Sequence, residues 1–369
     1  MSLIVISFDG VKDTEFENMA ALPHRYPNIA AFMQHERTRY TGDVYTTFVS
    51  NTYPIHSCIS TGRHPKEHGI ISNILGQTDC GADIWAQEAK HIMAPTIFDA
   101  AAKKGLTAGT IAWPVTCGSK AIKWNLPEVH LLPGQKRVHE QLHNGSIFFQ
   151  IRALMRHRKK MKGLQQPYLD DLFTSVMVDL LREKKPDMAM VHFLAYDGIC
   201  HEFGFSEELD TARAALDQNL GRVMAVADKD ATILIFSDHG HLSVSENIDL
   251  SPIFGDTLYE QCGGSAFFAR KVEIIEEYPW FGRMLTDEEM DVSGYAGRAA
   301  FGIGAARGYS FSKGPAPYRG NHGYPRDYDE YRVFHAIKNA KHSPHHLPFD
   351  DIRNVTAMIN QELGLGMDL

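Results

Sequence analysis

The chain has 369 residues, of which 44% are hydrophobic and 22% charged, a balance typical of a folded globular protein and not of a disordered chain. The length exceeds the usual size of one domain, so we expect one large domain with an insertion, or two domains. The net charge of -8 argues against a nucleic-acid polymer as a partner, which usually requires a basic face. The basic stretch 152–162 is interpreted as a solvated helix face or as a rim that attracts anionic substrates.

Cysteine usage and the first residues bear on the compartment. The five cysteines are widely spaced and form no CxxC motif, which argues against a disulfide framework and for a reducing environment. Because a predicted strand begins at Leu3, we expect no cleaved signal peptide. No apolar run approaches the ~20 residues needed to cross a bilayer. These observations predict a cytoplasmic protein with no membrane partner, while the oligomeric state is not readable.

Apolar strands alternate with amphipathic helical stretches through most of the chain, which predicts an α/β protein with a central, mainly parallel sheet covered on both faces. In chain order the predicted elements are a strand at 3–9, a helix at 16–36 broken near Pro23 and Pro27, a helix at 96–104, strands at 108–113 and 188–193 with a helix at 168–184 between them, a helix at 209–228, a strand at 231–236 and a helix at 351–363.

Two stretches fit this alternation poorly. Residues 118–167 are mixed, His-rich and basic, with no clean strand, and we interpret them as a smaller cap insertion within one catalytic domain spanning 1–369. Residues 255–320 carry short apolar pieces among many Gly and Tyr, and we predict an antiparallel excursion there.

Carboxylates and imidazoles stand where the predicted strands end. Asp9 ends the first strand, and Asp238 and His239 follow the strand 231–236. Asp197 and His201 follow the strand 188–193 and are four residues apart, so a helical turn would put both on one face. Such residues at strand ends predict a metal centre.

The donor types indicate which metal and which nucleophile to expect. Nitrogen and carboxylate ligands without thiolate fit zinc, with manganese as the alternative, and His322 is one more imidazole that can complete a set. Two such ions ~3.5–4 Å apart can clamp the attacking and leaving oxygens of a displacement at phosphorus. Thr52, in a Pro-marked turn, is the candidate nucleophile because a dication favours its alkoxide; the alternative is a turn or capping residue.

Taken together, these segments resemble the nucleotide pyrophosphatase/phosphodiesterase family of the alkaline phosphatase superfamily. The resemblance runs in the same order over nearly the whole chain. The motifs that carry it are Phe8-Asp9-Gly10, Thr52-Tyr53-Pro54, the Thr-Gly-Arg-His-Pro-Lys-Glu-His-Gly-Ile run at 61–70, the Asp-to-His segment at 197–201, Ser-Asp-His-Gly at 237–240 and Asn-His-Gly-Tyr at 321–324.

The resemblance implies an alkaline-phosphatase-like three-layer sandwich with two divalent metal ions, and it assigns roles to individual residues. The implied ligands of one ion are Asp9, Asp238 and His239 with Thr52 as the nucleophile on that ion, and those of the second are Asp197, His201 and His322. Asn73 matches the amide that donates to a non-bridging phosphoryl oxygen. The implied reaction is hydrolysis of a phosphodiester or phosphoanhydride in a small, nucleotide-like substrate through a phospho-threonine intermediate.

Two other functions stay open. A phosphonate hydrolase of the phosphonoacetate type shares the two-metal site, and Lys120 or Lys123 would be the candidates for contacting a substrate carboxylate. From a different class, the chain can be a metal-binding protein without catalysis. The chain also departs from the family pattern at Ile55, where Asn is common, and at Cys200, where Gly is common, which bears on substrate fit and on sensitivity to oxidation.

Overall fold

The computed structural model describes residues 2–160, 165–272, 275–313, 318–342 and 347–369. Its strands are β1 Leu3–Phe8, β2 Thr38–Val44, β3 Ile74–Gln77, β4 Asp83–Trp85, β5 Ala108–Ile111, β6 Trp124–Leu126, β7 Met188–Phe193, β8 Thr232–Phe236, β9 Leu242–Ile248, β10 Leu258–Cys262, β11 Ser265–Phe268, β12 Phe281–Met284, β13 Phe301–Ala305, β14 Gly308–Phe311, β15 Gly320–Asn321 and β16 Val333–Lys338. Its α-helices are α1 Asp13–Ala20, α2 Pro27–Met33, α3 Thr52–Thr61, α4 Pro65–His68, α5 Ile97–Lys103, α6 Arg137–His143, α7 Ile147–His157, α8 Tyr168–Asp179, α9 Ala195–Phe203, α10 Leu209–Met224, α11 Ser251–Phe254, α12 Asp287–Val292 and α13 Asn354–Leu363.

Seven strands of the described chain form a central sheet in the order β2-β16-β8-β1-β7-β5-β6. The strands from β8 to β6 run parallel, and β16 runs antiparallel to both β8 and β2. β1 lies in the middle, where Ile4 is opposite Ala189 of β7 and Ile233 of β8. Every residue of β1 is buried, as expected for a parallel strand covered on both faces. The mainly parallel sheet predicted from the sequence is confirmed.

Helices cover both faces of this sheet and give three layers. Side chains of β1 alternate between them, with Ile4 and Ile6 in one apolar cluster and Leu3 and Val5 in the other. The first cluster includes residues from α1, α2, α8 and α10, and the second includes residues from α3, α5 and α13. Each buried Ile, Leu or Phe contributes about 1.5–3 kcal/mol relative to its exposed state. The α/β sandwich fold class is thereby confirmed.

The predicted helix at 16–36 is two helices, α1 and α2. Pro27 is the first residue of α2, a position where proline is tolerated because its missing N–H would have no helical partner. The predicted helix at 168–184 is α8 followed by a π-helical turn at Leu180–Lys184, which ends where Lys185 adopts a left-handed backbone with φ 47°. The break predicted near Pro23 and Pro27 is thus confirmed, and the left-handed Lys185 ends the helical segment before β7.

The segment 118–167 was expected to lack a clean strand, and that expectation is wrong for Trp124–Leu126. These residues form β6, which pairs in parallel with β5 at the edge of the central sheet. A three-residue strand is too short to show alternation in the sequence. The assignment of 118–167 as a cap stays a prediction, and its residues 161–164 lie outside the described residues.

The antiparallel excursion predicted for 255–320 is confirmed for the sheet β10-β11-β13-β12. A smaller sheet, β14-β9-β15, follows it, and in that sheet Asn321 of β15 lies opposite Leu242 of β9. This pairing brings the segment that carries His322 next to the chain that leaves β8. Among the described residues, no helix combines the length and the apolar character that spanning a membrane requires.

Candidate metal centre

The carboxyl ends of β1, β7 and β8 meet at one edge of the sheet and carry the predicted ligands there. Asp9 follows β1 directly, Asp238 follows β8 by two residues, and Asp197 lies in the first turn of α9 after β7. β7, β1 and β8 are neighbours in the parallel sheet, so these three carboxylates converge. Open parallel sheets place their crevice at this edge.

The first group contains Asp9, Asp238 and His239, whose donor atoms lie within 4.8 Å of one another. His239 Nε2 is 3.2 Å from Asp9 Oδ1 and 3.4 Å from Asp238 Oδ2. Thr52 Oγ1 is 3.4 Å from the same Nε2. Thr52 is the first residue of α3, and all ten residues of that helix are buried. A buried hydroxyl at a helix N-terminus therefore adjoins an imidazole that itself lies beside two carboxylates.

The second group is built around Asp197. Its Oδ1 is 3.3 Å from His201 Nε2 and 3.9 Å from His322 Nε2. Asp197 and His201 lie four residues apart in α9, as the spacing predicted, and the His201 and His322 rings are 5.0 Å apart. His322 comes from a segment 121 residues further along the chain than His201, as their numbering shows. The six predicted ligands and Thr52 thus lie together, while their roles as ligands remain a proposal.

Backbone carbonyls determine which ring nitrogen of each histidine is available. The Nδ1 atoms of His201, His239 and His322 lie 2.9, 3.2 and 3.0 Å from the carbonyl oxygens of Gly320, Gly240 and Ser50. A carbonyl oxygen only accepts, so Nδ1 must carry a proton and donate it. In the neutral ring, Nε2 then presents a lone pair towards the carboxylates, which is the arrangement that metal-binding histidines show.

The carboxylates themselves leave acceptor atoms without hydrogen-bond partners. Among the described residues, Asp9 Oδ1, Asp197 Oδ1 and Asp238 Oδ2 are buried with no hydrogen bond. Unpaired buried charges are costly, and a bound cation removes that cost. The set of carboxylate oxygens and imidazole nitrogens therefore fits a divalent ion on chemical grounds.

The pKa shifts of the site residues also favour a bound cation. Burial, followed by the charge of Asp9, raises the pKa of Asp238 to about 7. Burial lowers the pKa of His239, but the Asp238 and Asp9 carboxylates outweigh it and raise that pKa to about 10. Burial and Asp197 raise the pKa of Asp9, but His192 and His239 outweigh them, so it lies below its usual value. Excess negative charge in this site thus holds protons on imidazoles where a metal ion can bind instead.

Asn73 lies beside the nucleophile. Its Oδ1 accepts a hydrogen bond of 2.9 Å from the backbone N–H of Tyr53, the residue after Thr52. Because Oδ1 is used in this way, Nδ2 is the end of the amide that is left to donate. Asn73, Thr52 and Tyr53 all line the same cavity. This geometry agrees with the role that the family resemblance implies for Asn73.

The cavity over the site has a volume of about 1080 Å³. Its described walls come largely from 69–77 and 251–263, with Arg298 and Lys313 as basic residues and Trp85 and Tyr259 as aromatic ones. Of the predicted cap, Glu128 and His130 are the described residues that line it. Asp238 and His239 lie beneath the surface of the cavity, fully buried. The cavity is large enough for a substrate that extends well beyond one phosphoryl group.

Two lysines proposed for a phosphonate substrate lie elsewhere. Lys120 and Lys123 are exposed and are not among the described residues that line the cavity. Cys200 is fully buried in the first apolar cluster, and burial raises the pKa of its thiol, so we expect it to be unreactive. Ile55 is equally buried, in the second cluster. The expectation that Cys200 makes the site sensitive to oxidation is therefore not supported.

Three histidines of the site were not assigned a role from the sequence: His56, His192 and His241. His56 is four residues after Thr52 and its Nδ1 is 2.8 Å from the Thr52 carbonyl oxygen. His192 Nε2 is 3.1 Å from Asp9 Oδ2, and His241 Nε2 is 3.1 Å from Asp197 Oδ1. One signal was available, because His241 follows His239 by two residues, a spacing that places side chains on one side of an extended chain.

Comparison with solved structures defines the class of the fold. An inactive threonine-to-alanine variant of murine ectonucleotide pyrophosphatase/phosphodiesterase 5, in complex with AMP, matches with a TM-score of 0.68 at 15% identity, over 99% of this chain and 95% of that chain. Phosphonoacetate hydrolase from Sinorhizobium meliloti, in complex with phosphonoformate, matches with a TM-score of 0.65 at 16% identity. The match covers 100% of this chain and 96% of that chain. The fold is thus the alkaline-phosphatase-like sandwich shared by these proteins.

Sequence comparison then identifies the family. The model of the type I phosphodiesterase/nucleotide pyrophosphatase family matches residues 3–291, and the chain belongs to this family. Human ectonucleotide pyrophosphatase/phosphodiesterase family member 1 is 25% identical over 232 residues, which are 59% of this chain and 22% of that protein. An uncharacterized pyrophosphatase/phosphodiesterase of Schizosaccharomyces pombe is 25% identical over 254 residues, which are 67% of this chain and 46% of that protein. The chain thus spans less than half the length of these two relatives.

Proposed function

We propose that this protein hydrolyses phosphodiester or phosphoanhydride bonds in small, nucleotide-like molecules, with Thr52 as the nucleophile beside two divalent metal ions. The observation that carries the proposal is the convergence of three carboxylates, of which Asp9 and Asp238 are buried, with three imidazole Nε2 atoms, and the 3.4 Å between one of these, on His239, and the Thr52 hydroxyl. Family membership and the AMP complex of a fold relative agree with it.

The donor sets divide into two. The ligands that would hold one ion are Asp9, Thr52, Asp238 and His239, and those that would hold the other are Asp197, His201 and His322. When bound, two zinc ions, or manganese as the alternative, would lower the pKa of the Thr52 hydroxyl and neutralise charge on the phosphoryl group.

Thr52 acts at the N-terminus of α3, where the helix dipole favours an anionic phosphoryl group. Its Oγ1 loses its proton and forms a bond to phosphorus as the bond from phosphorus to the leaving oxygen breaks, and a leaving alkoxide takes up a proton from water. Water then hydrolyses phospho-Thr52, which restores the hydroxyl and releases the second product.

Asn73 is the protein side chain that stabilises negative charge on the phosphoryl group. With Oδ1 held by the Tyr53 N–H, its Nδ2 donates to a non-bridging phosphoryl oxygen. A donor in a fixed position stabilises the charge that grows there in the transition state, typically by about 2.7–4 kcal/mol.

The cavity favours an extended substrate over a free phosphate monoester. Trp85 and His130 stack at 3.8 Å between ring centroids and form an aromatic wall, and Tyr53 packs edge-on against Trp85. Arg298 and Lys313 provide positive charge on the rim. An aromatic wall and cationic rim suit a leaving group that carries a base or a second phosphate.

The test compares kcat/KM of the zinc-loaded protein for bis(p-nitrophenyl) phosphate, p-nitrophenyl phosphate and phosphonoacetate. We expect a strong preference for the diester, and loss of that activity when a chelator removes the metal. A preference for the monoester or for phosphonoacetate would contradict the diesterase assignment. No turnover of any of the three with two metals bound, extended to a panel of dinucleotides and nucleoside triphosphates, would favour a metal-binding protein without catalysis.

A further inference from the structure

His241 is a buried imidazole in the metal centre with no part in the proposed function. Its side chain is fully buried, and its Nε2 lies 3.1 Å from Asp197 Oδ1. That distance is shorter than the 3.3 Å from His201 Nε2 and the 3.9 Å from His322 Nε2 to the same oxygen. His241 is therefore nearer to the central carboxylate of the second group than either predicted histidine ligand.

The ring of His241 is anchored like those of the predicted ligands. Its Nδ1 lies 3.1 Å from the carbonyl oxygen of Gly10, so Nδ1 carries a proton and donates it. His201 and His322 donate from Nδ1 to the carbonyl oxygens of Gly320 and Ser50 in the same way. Such a bond fixes the tautomer and turns Nε2 towards a metal in ligating histidines.

The backbone makes room for this ring at Gly10. A Cβ atom at position 10 would lie 2.4 Å from Cε1 and 2.7 Å from Nδ1 of His241, too close for any side chain. Gly10 has a positive φ of 76°, a conformation that glycine adopts without strain. The turn that follows Asp9 is thus shaped around the imidazole, which argues against His241 being an incidental occupant.

The contact between His241 and Asp197 suits a bound cation. Among the described residues, His241 Nε2 and Asp197 Oδ1 are both buried and neither has a hydrogen bond, although they face each other at 3.1 Å. In the neutral ring both atoms are electron-pair donors, so a proton on Nε2 or a bound metal ion must lie between them, and the anchored ring is oriented for the metal ion. The donor atoms of Asp197, His201 and His241 lie within 4.8 Å of one another, close enough for one ion, while His322 forms such a group with Asp197 and His239.

Building on the proposed two-metal centre, we propose that His241 is a fourth protein ligand of the second ion, with Asp197, His201 and His322. Catalytic zinc sites usually have three protein ligands and keep one position open, whereas four protein ligands close a tetrahedral site. The second ion must therefore accept five or more ligands to contact a substrate oxygen as well. The second site should thus tolerate a divalent ion such as Co²⁺ or Mn²⁺ that takes higher coordination numbers.

The experiment titrates metal-free wild-type protein and three variants with Zn²⁺ against a chelator of known affinity. The variants are His241→Gln, His322→Ala and the control His335→Gln, which alters a buried histidine on β16 whose pKa is lowered by burial alone. We expect two ions in the wild type and in the control. In His241→Gln we expect the second ion to bind at least about tenfold more weakly, since losing even an outer partner of a ligand costs 10–100-fold.

A spectroscopic measurement separates a ligand from a residue that only positions Asp197. In ¹⁵N-histidine-labelled wild type, the Nε2 signal of His241, assigned through the variant, is expected to shift when the second equivalent of Zn²⁺ binds. An Nε2 signal that does not move overturns the ligand assignment, even if affinity falls. If His241→Gln binds both ions with wild-type affinity, the ligand assignment of His241 is also overturned. In that case the two-metal centre still stands if His322→Ala loses one ion. Fewer than two ions in the wild type would overturn the two-metal centre and this inference together.

Discussion

The side-chain amide of Asn73 is tied to the residue that follows the proposed nucleophile, because its Oδ1 accepts a hydrogen bond of 2.9 Å from the Tyr53 N–H. This bond orients the amide while α3 positions Thr52. We therefore expect Asn73→Ala to lower kcat by about 10²–10³-fold, the usual cost of one lost donor to a transition-state oxyanion. Steady-state kinetics on the diester substrate measures this.

The matched control for Asn73 is Gln77→Ala, which removes another amide from the cavity wall. Gln77 is exposed and its Nε2 donates to Asp83 at 2.9 Å. We expect kcat of this variant within about threefold of the wild type, since exposed hydrogen bonds contribute little. Asn73→Asp should be more damaging than Asn73→Ala, because it puts a negative charge beside the phosphoryl group. Equal kcat for wild type and Asn73→Ala would remove Asn73 from the mechanism.

Thr52→Ala tests the nucleophile. We expect kcat to fall by roughly 10⁴–10⁶-fold, the scale on which removal of a nucleophile acts in covalent catalysis. Thr52→Ser keeps a hydroxyl and should retain measurable turnover. Circular dichroism and elemental analysis should show an unchanged fold and most of the metal in Thr52→Ala, because Asp9, Asp238 and His239 remain. Turnover retained in a clean Thr52→Ala preparation would rule out the phospho-threonine route.

Metal should stabilise the fold as well as support catalysis. Asp9 and Asp238 are both buried near His239, and their mutual repulsion destabilises the metal-free protein. At free Zn²⁺ about 100-fold above the dissociation constant, we expect the free energy of unfolding to rise by about 2.7 kcal/mol per site. Asp238→Asn should lose one ion and the increase in unfolding free energy that this ion provides. At pH 8 without metal, the variant protein should be no less stable than the wild-type protein. Urea unfolding of the wild type and of the variant, each with Zn²⁺ and with a chelator, measures these free energies.

The buried carboxyl of Asp170 should make the stability of the fold depend on pH, and Asp170 is not one of the proposed metal ligands. It is buried, and its two oxygens accept hydrogen bonds from the Leu194 and Ala195 N–H groups at the start of α9, at 3.1 and 2.9 Å. Burial outweighs these bonds and raises the pKa of Asp170 to about 6. The folded state thus holds the proton more tightly than the unfolded state. Stability from this group is full below about pH 4 and is lost as pH rises to about 6.

The size of this effect follows from the shift. A change of about two pKa units corresponds to about 3 kcal/mol, which the wild type should lose between pH 4 and 6.5. Asp170→Asn does not titrate, so the difference in unfolding free energy between variant and wild type should move in favour of the variant over that range. Chelator is kept in both samples so that metal binding does not contribute. A difference that stays constant with pH would contradict the assignment.

Much of the site could be predicted because each predicted ligand or nucleophile belongs to a short local pattern. Asp9, Asp238 and His239 stand at the ends of strongly apolar strands, and Asp197 and His201 have the spacing of one helical turn. Parallel strands that end together bring such residues to one edge whatever their register. The central sheet was predictable for the same reason, since buried parallel strands leave continuous apolar runs.

The cavity walls beyond the predicted site residues were not predictable from the sequence. Lys120 and Lys123 lie outside the described lining, and β6 lies at the edge of the central sheet. The walls at 69–77 and 251–263 carry no periodic apolar pattern strong enough to place them. Their positions depend on contacts between distant segments, which a single sequence does not encode locally.

The sequence alone determined the family of this protein and which donor residues stand at its strand ends. Only the tertiary structure decided which other histidines join them. His241 meets Asp197 and the Gly10 carbonyl because β1, α9 and β9 come together, with 231 residues separating Gly10 from His241. His322 reaches the Ser50 carbonyl across 272 residues. Contacts over such separations arise from strand order and packing, and local sequence preferences do not specify either.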